Sequence, residues 1–142
     1  MIPRKAGDYL FLVQRDADCL RLLAQAARSE YPGRDVSDWI VTIHFYILCV
    51  YVKALGSCRQ QNFQDHYAIR QWLNTEPDLL GIARPYRKVE EASRDARYEG
   101  RLFAPPEIQR FHQWFQEARD QFVALLRKEG VTQIPNPDPV VP

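Results

Sequence analysis

The stretch from Trp39 to Leu55 constrains this chain more than any other part of it. It reads Trp-Ile-Val-Thr-Ile-His-Phe-Tyr-Ile-Leu-Cys-Val-Tyr-Val-Lys-Ala-Leu. Wound as a helix, it is apolar on nearly every side and must therefore be covered on nearly every side. Thr42, His44 and Lys53 interrupt it, and it is shorter than the roughly 20 apolar residues that a membrane span needs. The expectation is a central helix sheathed by the rest of the chain, with a second subunit as further cover. Asp35 or Ser37 can accept hydrogen bonds from the first-turn amides, Asp38 suits the positive dipole end, and Gly56 offers a left-handed stop.

The remaining segments repeat apolar residues at three- and four-residue steps, and none alternates as a half-buried strand would. From about Lys5 to Arg28, one stripe collects Leu10, Val13, Ala17, Leu20, Ala24 and Ala27. A short helix from about Phe63 to Leu73 takes Asp65 as its cap. A fourth segment runs from Pro77 to about Tyr98, with Pro85 set to kink it or split it. A fifth follows Pro105-Pro106 and ends near Glu129, with Ile108, Phe111, Phe115, Phe122, Leu125 and Leu126 on its buried face. The chain has 142 residues, 46% of them hydrophobic and 26% charged, which suits one soluble core. The spacing predicts an all-α, up-and-down bundle of four long helices plus one short helix over residues 1–130. A proline-rich tail over 131–142 is expected to be extended or disordered, or to serve as a docking peptide. The first residues carry no apolar signal core, so the chain reads as cytoplasmic and not membrane-bound.

Charge and motif content narrow the chemistry. Nineteen Lys and Arg face eighteen Asp and Glu, a net charge of +1, so any basic site has to be local. The three cysteines form no CxxC pair; Cys19 and Cys49 read as small core residues and Cys58 as a loop thiol. No glycine-rich phosphate loop, HExxH, GxSxG or Glu-x-x-His pair is present, and no cofactor or metal is expected. His44 reads as a buried histidine bonded to a neighbour, and His112 as a packing or surface histidine. His66 precedes Arg70 by four residues, which on a helix puts imidazole and guanidinium on one face. Such a pair could bind a phosphate and move a proton, or could cap a helix and make a salt bridge. On the fourth segment Arg87, Arg94 and Arg101 recur every seven residues, opposite Val89, Ala92, Ser93 and Ala96, with Arg97 at the boundary. Guanidinium forks suit phosphate or carboxylate. Interleaved acids offer the alternative of a salt-bridged face, through Arg87 with Glu91 and Glu90 with Arg94.

Phe45-Tyr46 with Tyr51-Val52-Lys53-Ala54-Leu55, then His66-x-x-x-Arg70, Pro77-Asp78-Leu79, Tyr86-Arg87-Lys88-Val89 and Ser93-Arg94-Asp95-Ala96-Arg97-Tyr98, resembles the pattern of small prokaryotic HEPN-like proteins over roughly residues 35–100. The resemblance implies a helical bundle that pairs as a dimer or joins a larger assembly through its helix faces. It also implies an RNA- or nucleotide-associated role in toxin–antitoxin or phage-defence systems. Active members are metal-independent ribonucleases with four to six residues between an Arg and a following His; the formal match here, with six between, is Arg59 to His66. On that reading His66, Arg70 and Arg59 are the catalytic set, and Arg87, Arg94, Arg97 and Tyr98 form an anion or RNA site. The alternative is a non-catalytic dimerisation or assembly subunit binding a partner protein or an anionic ligand.

Overall fold

A computed structural model describes residues 2–30 and 32–136. Five α-helices and one short 3-10 turn make up its regular structure, with no strand among the described residues. The helices are α1 (Ile2–Ser29), α2 (Ser37–Cys58), α3 (His66–Thr75), α4 (Leu80–Glu99) and α5 (Pro105–Lys128).

The apolar run is the middle of the bundle. α2 packs against α1, α4 and α5, and Phe45, Ile47, Leu48, Tyr51, Val52, Ala54 and Leu55 are fully shielded. By length and composition α2 could cross a membrane, yet its most apolar window is mostly buried inside the bundle. Ser37 meets Phe103 and Cys49 meets Tyr86, so α4 runs antiparallel to α2. His44 meets His112 and Tyr51 stacks on Phe122, so α5 runs parallel to it. The α1 stripe from Leu10 to Ala24 closes the remaining side, with Ala27 half-buried at its end. The expected stripe on α5 is likewise buried in full.

The ends of the helices follow local chemistry. Asp35 Oδ1 accepts from the Ser37 amide at 2.9 Å, and Asp65 Oδ1 accepts from the Ala68 amide at 2.9 Å. Gly56, expected to stop α2, instead lies inside it; the helix runs on to Cys58, and Gln60 takes the left-handed conformation at φ 58°. Glycine is needed at 56 for closeness. A Cβ there would stand 2.6 Å from Cε2 of Phe63, whose ring folds back over the helix. Cys58 therefore sits at the helix end, not in a loop. Pro85 lies within α4, and the break in the fourth segment comes earlier, between the 3-10 turn Pro77–Leu79 and Leu80. The proline has no N–H for the carbonyl of Gly81, and Gln121 Nε2 of α5 donates to that oxygen at 3.0 Å. The lost helical bond is replaced by a bond between helices.

Cys49 is buried, but Cys19 is exposed on α1, because its position falls off the stripe defined by Ala17 and Leu20. The described part of the tail, Val131 to Asn136, carries neither helix nor strand. Val131 and Ile134 pack on the core, and the buried hydroxyl of Tyr51 donates to the carbonyl of Pro135 at 2.6 Å. Residues 137–142 lie outside the described residues.

Candidate functional site

The polar chemistry of the bundle gathers where α2, α3 and α4 meet. Ser93 and Ala96 keep one face of α4 against the core, so Arg97, one position further, emerges at the boundary half-buried. Its Nε donates to Ser93 Oγ at 3.0 Å and to the Ser93 carbonyl at 3.3 Å. Its guanidinium carbon lies 5.1 Å from the Phe45 ring centre and 5.2 Å from that of Tyr98. Both distances are within cation–π range, and together with the Ser93 bonds they hold the guanidinium in place. Neither Nη atom has a hydrogen-bond or ion-pair partner among the described residues.

His66 opens α3 on the same face. Its ring centre lies 5.4 Å from that of Phe45. Partial desolvation lowers its pKa below 6.5; Arg97, Arg70 and Lys53 push the same way, while Glu90 opposes them. The imidazole is thus held neutral at pH 7, with a lone pair able to accept a proton.

Arg70 follows one turn later. It faces Glu90 of α4, donating from Nη1 to Oε2 at 2.9 Å. Glu90 is 2% exposed, a buried acid that sequence reasoning placed on the solvent face. Its expected partner Arg94 is instead exposed and without an ion pair among the described residues. The other expected pair, Arg87 with Glu91, is present but loose at 3.7 Å. Nor does Arg101 extend the row of Arg87 and Arg94. Gly100 ends α4 at φ 64°, and Arg101 turns into the following loop to bridge Asp95 and Glu107.

Arg59 lies apart from His66. Its Nη1 and Nη2 donate to the two carboxylate oxygens of Asp78 at 3.0 and 2.7 Å, and its Nε to Glu129 at 3.1 Å. This guanidinium ties the end of α2 to the 3-10 turn and to the end of α5. The structure therefore brings His66, Arg70, Arg97 and Tyr98 together around Phe45 and Glu90, and leaves Arg59 in a separate ionic knot.

Two cavities flank this face. One, of about 270 Å³, is rimmed by Arg70, Arg84 and Arg87 above Tyr86 and Leu73; Arg84 also lies 5.4 Å over the Trp114 ring. The other, of about 340 Å³, lies between the first half of α2 and the last turn of α4, lined by Asp38, Trp39, Thr42, Tyr46, Ala96, Arg97 and Gly100. Trp39 and Tyr46 went unread as site residues, since both sit within a run taken as core. The available signal was their i, i+7 spacing with Asp38 and Thr42 between and beside them, which marks the single polar edge of that helix.

Among the described residues no group of three or more His, Cys, Asp or Glu side chains converges as metal ligands would. Burial pushes the Cys49 thiol up to about 11, with the Tyr86 hydroxyl 3.6 Å away, so it is a packed thiol and not a nucleophile. His44 is fully buried. Its Nδ1 donates to the Ile40 carbonyl at 2.7 Å, which leaves Nε2 to accept from Nδ1 of His112 at 3.1 Å. Phe111 and Phe115 meet the His44 ring edge-on, so the pair is part of the α2–α5 packing. Compared with known proteins, the chain matches no family model, no curated protein and no solved structure.

Proposed function

We propose that this chain is a HEPN-like, RNA- or nucleotide-associated domain of a cytoplasmic defence or toxin–antitoxin system, binding through the α2–α4 face. The observation that carries the reading is Arg97: a guanidinium fixed by Ser93 and two aromatic rings, with both terminal nitrogens open. A preorganised fork of this kind suits phosphate, and the neighbouring Tyr98, 75% exposed, offers a ring on which a base can stack. Arg94 and Lys53, both exposed, add local positive charge to a chain whose overall charge is near neutral.

The catalytic version of this reading assigns proton transfer to His66 and phosphoryl-charge stabilisation to Arg70. The 2′-hydroxyl attacks the adjacent phosphorus, the P–O5′ bond breaks, and no metal takes part. Arg59 supports it less, because each of its three nitrogens already donates to Asp78 or Glu129. Arg70 is itself engaged with Glu90, so binding without cleavage is the better-supported form.

A second reading, an assembly subunit, draws on α1. Phe11 and Leu22 are 69% and 65% exposed on its outer side; a partner or a second copy would cover them.

Fluorescence anisotropy with labelled single-stranded RNA in chelator, with cleavage followed on gels, tests the first reading. Wild type binds, and Arg97→Gln loses at least about tenfold in affinity. Equal binding by both proteins removes the Arg97 site. Cleavage abolished by His66→Ala marks an active enzyme, and binding without cleavage marks the non-catalytic form.

A further inference from the structure

The cavity beside Arg97 has a chemistry of its own. Its volume, about 340 Å³, is at the lower end of small-ligand pockets and suits one nucleoside-sized group. Its two aromatic walls come from one helix edge. Trp39 is 59% exposed and Tyr46 42%, on a helix that buries nearly every other large side chain. Seven residues separate them, about 10 Å along the axis at 1.5 Å per residue, so a flat ring can lie against either wall. The cavity's polar ends are opposite in sign. At the α4 side stands the fixed guanidinium of Arg97 with its open nitrogens. At the start of α2 stands the carboxylate of Asp38, which has no side-chain partner among the described residues. Thr42 lies between them, its hydroxyl proton already donated to the Asp38 carbonyl at 2.8 Å.

A ligand matching this box is flat and aromatic, with an anionic group at one end and paired N–H donors at the other. Guanine presents N1–H and the 2-amino group side by side, the complement of a carboxylate's two oxygens, whereas adenine offers only one donor group on that edge. We propose that the Asp38–Trp39–Tyr46–Arg97 cavity is a guanine-nucleotide site. The base stacks on Trp39, beside Asp38, and donates to that carboxylate, and the phosphate lies on Arg97. The ligand is a free guanosine monophosphate or a single unpaired guanosine of an RNA. This inference rests on the RNA- or nucleotide-associated reading above and adds the base and its pocket.

The test titrates the full chain with guanosine monophosphate, adenosine monophosphate, guanosine and inorganic phosphate by calorimetry. Trp39 fluorescence is followed in parallel, and matched RNA oligomers with and without guanine form a second arm. Guanosine monophosphate should bind at least about tenfold tighter than either the adenine nucleotide or guanosine, with Trp39 quenched. Asp38→Asn should erase the preference for guanine, and Trp39→Ala should weaken the guanine nucleotide about tenfold. Both side chains are at the surface, and circular dichroism confirms that the variants fold. Tighter binding of the guanine-containing oligomer than of the mononucleotide assigns the site to RNA, and the reverse to free nucleotide. Equal affinity for guanine and adenine nucleotides, or unchanged binding in Trp39→Ala, overturns the proposal. If RNA binding falls in Arg97→Gln but not in Trp39→Ala, this pocket fails while the broader reading stands. If nothing binds, both fail.

Discussion

Arg59 and Arg97 sit at opposite ends of a contrast between two regions. Around the C-terminal end of α2, each of the three nitrogens of Arg59 donates to Asp78 or Glu129, and three chain segments are held together by one guanidinium. On the α2–α4 face, Arg97 spends only Nε, and rings supply the rest of its support. Both side chains are partly buried. The first has been converted into structure, while the second is kept in place with its hydrogen-bonding capacity unspent. Counting arginines therefore does not locate a binding surface. What matters is whether a guanidinium is held by carboxylates, which neutralise it, or by aromatic faces, which leave it charged and open.

The sharpest way to break this contrast lies within the second region, at Arg70 and Glu90, where a buried carboxylate does hold a guanidinium. Arg70→Ala leaves a carboxylate that is 2% exposed without its cation. It should cost about 3 kcal/mol in urea unfolding. Replacing both partners by leucine should recover most of that loss, because the desolvated charge leaves with its partner. A loss below about 1 kcal/mol for Arg70→Ala would mean that Glu90 is not stranded.

Next in size, Arg59→Ala should cost about 1–2 kcal/mol while leaving RNA affinity unchanged, the reverse of Arg97→Gln. This pair has a pH signature. Arg59 holds the Asp78 carboxyl below its ordinary value of 3.8, so its stabilisation is present above that value and lost as pH falls through the lowered one. Thermal melts of wild type and Arg59→Ala should converge in that acid range.

The smallest effect is at His66. Its folded pKa lies below 6.5, so the unfolded chain takes up the proton first as pH falls, and stability declines from about pH 6.5 downward. His66→Gln should remove that slope and leave the melting point at pH 8 unchanged. The ring is solvent-exposed, so the slope is shallow.

The helices were legible because periodicity records burial directly. The stripes Leu10 to Ala24 and Ile108 to Leu126 could be read as faces, and Trp39 to Leu55 as the middle. Pairings across the bundle were not legible. Glu90 and Arg94 stand four apart and look like partners, but burial of Val89 and Ser93 turns Glu90 inward to Arg70 on another helix. Gly56 has the look of a stop, yet its missing side chain serves the Phe63 ring. Of the candidate site, His66 with Arg70 on one face and Arg97 at a boundary followed from helical spacing. Trp39 and Tyr46 did not, because the polar edge they share with Asp38 and Thr42 is a brief interruption of a run read throughout as core.

The hydroxyl of Tyr51 gives the C-terminal segment a consequence for anyone who shortens this chain. A boundary drawn at Gly130, where helical sequence ends, would strip a phenol in the apolar interior of the oxygen that receives its proton, and would uncover the patch that Val131 and Ile134 shield. Those few non-helical residues plug the end of the bundle, so a chain cut at Gly130 should melt at a lower temperature than one that keeps Pro135.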